Sequence, residues 1–285
     1  GFPDGAFNLI HGDGPTAGAA LSCHPDIQMM SFTGSTRAGT AVTKDAADTV
    51  KRVTLELGGK SPNIVFADCK LEECVPASIQ ECFFNTGQSC DAPTRMLVER
   101  HCYEEVLEIA GRTALEQVVG KPSQEGDHIG PLFDRIQFDR VQSLIEAGIA
   151  EGARLIAGGL GRPEGFDSGW YVRPTVFGDV NNDMLIATEE IFGPVLSLIH
   201  ADDVDEAIDI IARNPYGNAS SIFTASGSAA RKFRYEVPTG NVGVNIGVAA
   251  PMAYFPFSGW KDSFLGVLHG QGRDAIEFYT EKKVV

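Results

Sequence analysis

Hydrophobic and polar positions along this chain alternate between two periods. Short apolar runs read as strands: FNLI (7–10), MMSFT (29–33), VTLEL (53–57), SPNIVFAD (61–68), TRMLVE (94–99), RLIAGG (154–159), YVRPTVF (171–177), GPVLSLIHA (193–201) and SSIFTA (220–225). Between them lie stretches with apolar residues at helical spacing, such as TAGAALSCH (16–24), RAGTAVTKDAAD (37–48), LEECVPASIQECFF (71–84), YEEVLEIAGRTALEQVV (103–119), RIQFDRVQSLIEAGIAEG (135–152), VDEAIDIIARN (204–214) and AARKFRYEV (229–237). Strands alternating with helices predict an α/β fold on a largely parallel sheet. The tail EFYTEKKVV (277–285) reads as a last strand with no hairpin partner, an edge suited to pairing with another subunit. GGLGRPEGFDSGW (158–170) is a Gly-rich surface loop, and no repeat or low-complexity segment interrupts the pattern.

The 285 residues allow one large domain or two ordinary ones with a sizeable core. A formal charge of −15 opposes nucleic acid and anionic membrane as partners. The sequence has six cysteines without a CxxC pair and six histidines without HExxH, so a metal site is not expected. No apolar run reaches membrane-spanning length, and GFPDGAFNLI lacks the basic start of a signal peptide. The expected setting is reduced and cytoplasmic.

Four short motifs could carry chemistry. In SFTGSTRAG, Gly34 and Gly39 frame a turn between a strand and a helix, where backbone N–H groups can face a phosphate. It is neither a Walker A nor a GxGxxG fingerprint, and a plain tight turn explains it equally. In LELGGKSPN (55–63), Glu56 sits inside an apolar strand before two glycines, as a rim glutamate or as a base whose pKa burial raises. In FFNTGQSC (83–90), a Gly-Gln-Ser approach presents Cys90, whereas Cys23, Cys69, Cys74 and Cys82 read as core filler and Cys102 as a core or surface thiol. In TEEIFGPVL (188–196), two acids precede a turn, facing water or positioned for sugar hydroxyls.

In this order, FTGSTRAG, LELGGKSPN, FFNTGQSC and EEIFGPVL resemble the signature blocks of the NAD(P)-dependent aldehyde dehydrogenase superfamily, over essentially the whole chain. The resemblance implies the second half of a Rossmann-type cofactor domain (1–57), an α/β catalytic domain (58–270) and a C-terminal segment with an oligomerisation strand (271–285). It implies Cys90 as nucleophile and Glu56 as general base. Gly34, Ser35 and Gly39 match the turn near the cofactor pyrophosphate, and Leu57 the carbonyl that meets the nicotinamide amide. Glu190 matches the acid on the nicotinamide ribose, Phe192 the aromatic beside it, and Phe257 in PFSGW an aromatic of the aldehyde tunnel. The implied cofactor is NAD or NADP, the substrate a small aldehyde, and the assembly a homo-oligomer.

The match departs from the family in two ways. The family's N-terminal portion, with an oxyanion-hole asparagine and the adenosine-binding residues, has no counterpart here, so the chain is expected to be a fragment or truncated form. The C-terminal stretch 244–285 resembles the methylmalonate-semialdehyde branch, which passes its acyl group to coenzyme A. That branch usually lacks the glutamate seen as Glu56 and has arginine where Ser89 stands, so an acidic semialdehyde is disfavoured. A CoA-acylating enzyme and a catalytically silent scaffold are the alternative readings.

Overall fold

The computed structural model describes residues 1–285. Its strands are β1 Met29–Thr33, β2 Arg52–Glu56, β3 Pro62–Val65, β4 Arg95–Glu99, β5 Arg154–Ala157, β6 Thr175–Gly178, β7 Val195–Ala201, β8 Tyr216–Gly217, β9 Ala219–Phe223, β10 Asn241–Val244, β11 Trp260–Lys261 and β12 Phe264–Leu265. The helices are α1 Ala19–Cys23, α2 Thr36–Ala47, α3 Leu71–Phe83, α4 Tyr103–Glu116, α5 Arg135–Ala150, α6 Leu185–Thr188, α7 Val204–Arg213, α8 Gly227–Glu236 and α9 Asp274–Phe278.

Seven strands form the main sheet in the order β10-β9-β3-β4-β7-β6-β5, parallel except for the antiparallel edge pair β5–β6. Its central strands are buried on both faces, as parallel strands between two helical layers must be. Side-chain alternation sorts them between two cores. Ile64, Leu97, Ile199 and Ile222 join α5, α7 and α8 on one face; Val65, Met96, Val98, Leu198 and Phe223 join α3 and α4 on the other.

Local chemistry fixes the helix ends. Asp203 caps α7 by accepting from the amides of Asp205 and Glu206, both at 2.9 Å, and Asp134 caps α5 through Gln137 N at 2.8 Å. At the far end of α7 the Lys261 ammonium donates to the carbonyls of Ile211, Ala212 and Asn214, the charge a helix C-terminus favours.

A second, three-stranded sheet holds the first part of the chain. β1 and β2 run parallel, and β12 returns antiparallel to β2. Residues 264–265 therefore close the sheet begun by 29–56, so an early and a late segment of the chain share one layer. No helix is long and apolar enough to cross a membrane.

Neither FNLI nor the tail carries a ladder within this chain. Phe7, Leu9 and Ile10 of FNLI stand 83%, 69% and 67% exposed and pair with nothing. In the tail, Asp274–Phe278 is helical and 279–285 carries no ladder. An extended segment becomes a strand only when its N–H and C=O groups meet a partner, and alternation alone cannot supply one.

The Asn85–Gln88 turn that delivers Cys90 is locked in place. Asn85, Thr86 and Gly87 all take positive φ, and a Cβ on Gly87 (φ +70°) would lie 2.2 Å from the Gly193 carbonyl oxygen. The turn thus nests directly against the turn that follows Glu190. Gly87→Ala combines left-handed strain with a backbone clash, and should lower unfolding stability by about 2 kcal/mol or more, read as a drop in denaturant midpoint at unchanged m-value. A wild-type midpoint would show that the turn is not packed this way.

Candidate active site

The four motifs converge where the two sheets meet. β2 ends at Glu56, and Leu57-Gly58-Gly59-Lys60 leads straight into β3, so the segment 56–61 crosses from the C-terminal edge of the small sheet to the N-terminal edge of the large one. Cys90, Glu190 and Asn218 arrive at that edge from the loops that precede β4, β7 and β9. The C-terminal end of β1, level with Glu56 in the parallel pair, supplies Gly34 and the start of α2; Gly34 N donates to the Glu56 carbonyl at 3.0 Å and prolongs the β1–β2 ladder.

Glycine makes the convergence possible. A Cβ on Gly58 would lie 2.3 Å from Glu190 Oε2, and one on Gly59 would lie 2.4 Å from the Cys90 carbonyl oxygen and 3.0 Å from Asn218 Cβ. Glu190 Oε1 accepts from Gly59 N at 3.1 Å. Arg140 donates to the Glu190 carbonyl at 2.8 Å, and Gln137 Nε2 to those of Ile191 and Phe192 at 2.9 and 2.7 Å. These bonds hold Phe192 at φ +56°, a conformation costing on the order of 1 kcal/mol.

The electrostatics of the site follow from burial. Glu56 is raised from 4.5 to about 7 by desolvation, and its buried Oε2 has no hydrogen-bond partner. Folding therefore binds a proton there, so this group subtracts stability as pH rises from about 4.5 through about 7. Glu190 is also raised, by burial first, with the Gly59 amide and the Lys60 ammonium pulling the other way. Cys90 is half-buried and pushed up to about 11, by desolvation and then by the neighbouring Asp91 carboxylate, while a hydrogen bond from the Asn218 side chain opposes the rise. Asp91 is itself engaged by Ser89 Oγ at 2.6 Å.

Sequence reasoning passed over three residues of this site. Asn218, 2% exposed, donates from Nδ2 to the Leu57 carbonyl at 3.3 Å, and its Oδ1 is buried without a partner. Ser263 joins the same backbone from β12's side: its Oγ donates to the Gly58 carbonyl at 2.6 Å, and its carbonyl accepts from Leu57 N at 2.9 Å. Lys60 is fully buried with an unpartnered ammonium, lowered to about 7 by desolvation and by the Arg95 guanidinium. Only Lys60 lay inside a recognised motif; Asn218 and Ser263 come from segments whose relation to 56–60 is set by tertiary folding.

The remaining expected residues separate. Ser35 is exposed and caps α2, accepting from Ala38 N at 3.3 Å. Gly39 lies one turn inside α2 and packs on Leu57 and Leu55, where a Cβ would come within 2.7 and 3.1 Å, so its immediate task is close approach of helix to strand. Phe257 is half-buried beside Ser258, whose amide donates to Asn241 Oδ1 at 3.3 Å; Asn241 N in turn donates to the Asn218 carbonyl at 3.0 Å. Beside Leu57, a groove of about 370 Å³ is lined by Thr36, Thr40, Lys44, Leu55 and Lys261 among others.

Comparison with known proteins finds relatives over the whole chain. The aldehyde dehydrogenase family matches residues 1–285. The 3-succinoylsemialdehyde-pyridine dehydrogenase of a Pseudomonas species is 47% identical over 285 residues, all of this chain and 59% of that protein. Malonate-semialdehyde dehydrogenase of Bacillus velezensis is 40% identical over the same span, 58% of its length. A crystal structure of a mutant aldehyde dehydrogenase C from Pseudomonas syringae, complexed with NAD+ and octanal, superposes with a TM-score of 0.93 at 46% identity, covering 99% of this chain and 57% of that one. The chain thus spans about three-fifths of the length of the relatives it matches.

If Asn218 is what restrains the rise of the Cys90 thiol, Asn218→Ala should slow Cys90 alkylation by iodoacetamide at pH 8 several-fold and shift its pH dependence upward. Site-resolved mass spectrometry reads both; an unchanged profile would detach Asn218 from the thiol.

Proposed function

The chain belongs to the aldehyde dehydrogenase family, and on that premise we propose that it carries the catalytic part of an enzyme oxidising an aldehyde to its carboxylic acid with NAD(P)+, Cys90 being the nucleophile and Glu56 the base. The observation that carries this reading is the Glu56 carboxyl, unpartnered at Oε2 and held near 7, on the same strand end that touches Cys90 and Glu190.

The residues present fit a nicotinamide dinucleotide. Glu190 points a carboxylate at the glycine pair, where sugar hydroxyls could donate to it. The Leu57 carbonyl has a second lone pair beyond the one Asn218 uses, and Asn218 Oδ1 is a buried acceptor in want of a donor. The first turn of α2 offers amides to a phosphate beside Gly34 and Ser35. We read the β1–β2–β12 sheet with α2 as the remainder of the cofactor domain, and the seven-stranded unit as the catalytic domain.

Cys90 attacks the aldehyde carbon, and its own backbone N–H is the donor the chain offers the developing oxyanion. When bound, NAD(P)+ supplies the hydride acceptor and a positive ring charge of the sign a thiol held near 11 needs to ionise. The thioester left on Cys90 is released by water that Glu56 deprotonates. Glu56 also argues for hydrolysis over transfer to coenzyme A, since a thiol acceptor needs no activated water. No cation flanks Cys90 in Gln88–Asp91, which favours an uncharged aldehyde. Exposed residues 279–285 are read as the segment that pairs with a second copy.

The test is NADH formation from NAD+ and a panel of aldehydes, with product analysis. Cys90→Ala should abolish turnover, and Glu56→Gln should lower it about 10²–10⁴-fold while leaving acyl-Cys90 trapped. NADH unchanged in Cys90→Ala would remove the nucleophile assignment; coenzyme A accelerating the wild type more than Glu56→Gln slows it would replace hydrolysis with acyl transfer.

A further inference from the structure

A pair of thiols at the head of α3 has no part in this chemistry. Cys69 closes the turn after β3, its amide donating to the Phe66 carbonyl at 3.1 Å, and Cys74 lies in the first turn of α3, its amide donating to the Lys70 carbonyl at 2.9 Å. With both backbones fixed, the two sulfurs stand 2.7 Å apart. A disulfide is about 2.05 Å long, so a movement of well under an ångström, which two χ1 rotations supply, would close the bond.

The surroundings suit oxidation. The S–H of one thiol bonds the sulfur of the other, and that shared proton pushes Cys69 up and pulls Cys74 below the usual thiol value. Cys74 also sits at a helix N-terminus, which favours the thiolate. Cys69 is partly exposed, so solvent reaches the edge of the pair, and Cys74 retains 7% exposure beside it. Cys102, the next thiol, is buried and engaged with the Glu99 carbonyl at 3.4 Å.

We infer that Cys69 and Cys74 form a reversible intrachain disulfide, a two-electron modification site whose oxidant is a hydroperoxide. The Cys74 thiolate attacks one peroxide oxygen, breaks the O–O bond and releases hydroxide, leaving a sulfenic acid. The Cys69 sulfur then attacks the Cys74 sulfur; the S–S bond forms, and the S–OH oxygen departs as water with the Cys69 proton. Two thiols are oxidised, and one hydrogen peroxide becomes two waters. The loop so closed is short, so the bond restrains the unfolded chain little and is easily reduced. The site lies at the C-terminal end of β3, where Asp68 of the same turn holds Thr224, Ala225 and Ser226. Cys90 faces the other end of that strand, so the link should form without disturbing it.

Peptide mapping tests this on the full chain. After brief treatment with stoichiometric hydrogen peroxide, free thiols are blocked with N-ethylmaleimide and the protein is digested, unreduced, with trypsin and a glutamyl endopeptidase. Cleavage after Lys70 separates Cys69 from Cys74, and cleavage after Glu73 and Glu81 isolates Cys74 from Cys82 and Cys90. The expected product joins the peptide ending at Lys70 to the Cys74–Glu81 peptide, with two of the six thiols lost and both recovered by dithiothreitol. Cys69→Ser should abolish the link and leave Cys74 as a sulfenic acid trapped by a cyclic dione. Six blockable thiols after oxidation, a link to another cysteine, or thiol loss unaffected by Cys69→Ser would each overturn the inference.

Discussion

The site depends on the absence of two methyl groups. Where β2 hands over to β3, Gly58 and Gly59 let the Glu190 carboxylate and the Cys90 carbonyl approach the backbone to distances no Cβ would permit. A side chain at either position would displace the turn before β7 or the loop before β4, and those two are already keyed together through Gly87 and Gly193. Because Gly34 N is bonded to the Glu56 carbonyl, the start of α2 is tied to the same point. Three loops and one helix start thus share one short stretch of bare backbone.

What gathers there is mostly acid. Glu190 and Asp91 flank Cys90, Glu56 ends the strand that leads to them, and the Lys60 ammonium is buried and held down to about 7. Desolvation outweighs the opposing Lys60 and Arg140 charges at Glu190 and acts unopposed at Glu56. That is unfavourable for stability and useful for chemistry: a carboxyl near 7 can take and return a proton at neutral pH, and a thiol near 11 stays quiet until positive charge arrives. The topology serves this division. The small sheet presents the C-terminal edge of β1 and β2, the usual ligand side of a parallel sheet, whereas the large sheet presents N-terminal edges, so that the nucleophile and the putting-in-place of Glu190 come from loops entering strands.

Much of this was legible because glycine and acid patterns are local. LELGGKSPN announces a strand end with room beside it, and NTGQSC announces a turn that only small residues permit. The long buried runs of β3, β4, β7 and β9 read as strands for the same reason. What was not legible depends on partners distant in sequence. Asn218 reaches Leu57 across 161 positions, and nothing in YGNASS marks it. Cys69 and Cys74, read as core filler, meet because a turn folds back on a helix start, a spacing that fits no single element's period. FNLI failed as a strand because alternation describes a face, and pairing needs a second chain segment to face.

The most direct measurement is the pH dependence of acyl-Cys90 breakdown, with the acyl group installed from an activated ester and its loss followed by intact-mass spectrometry. If Glu56 is the base at this strand end, the rate should climb with pH and level off above about 7, the value to which burial raises its carboxyl, and Glu56→Gln should erase the step. A wild-type rate flat through pH 7, or a step that survives in Glu56→Gln, would contradict the account.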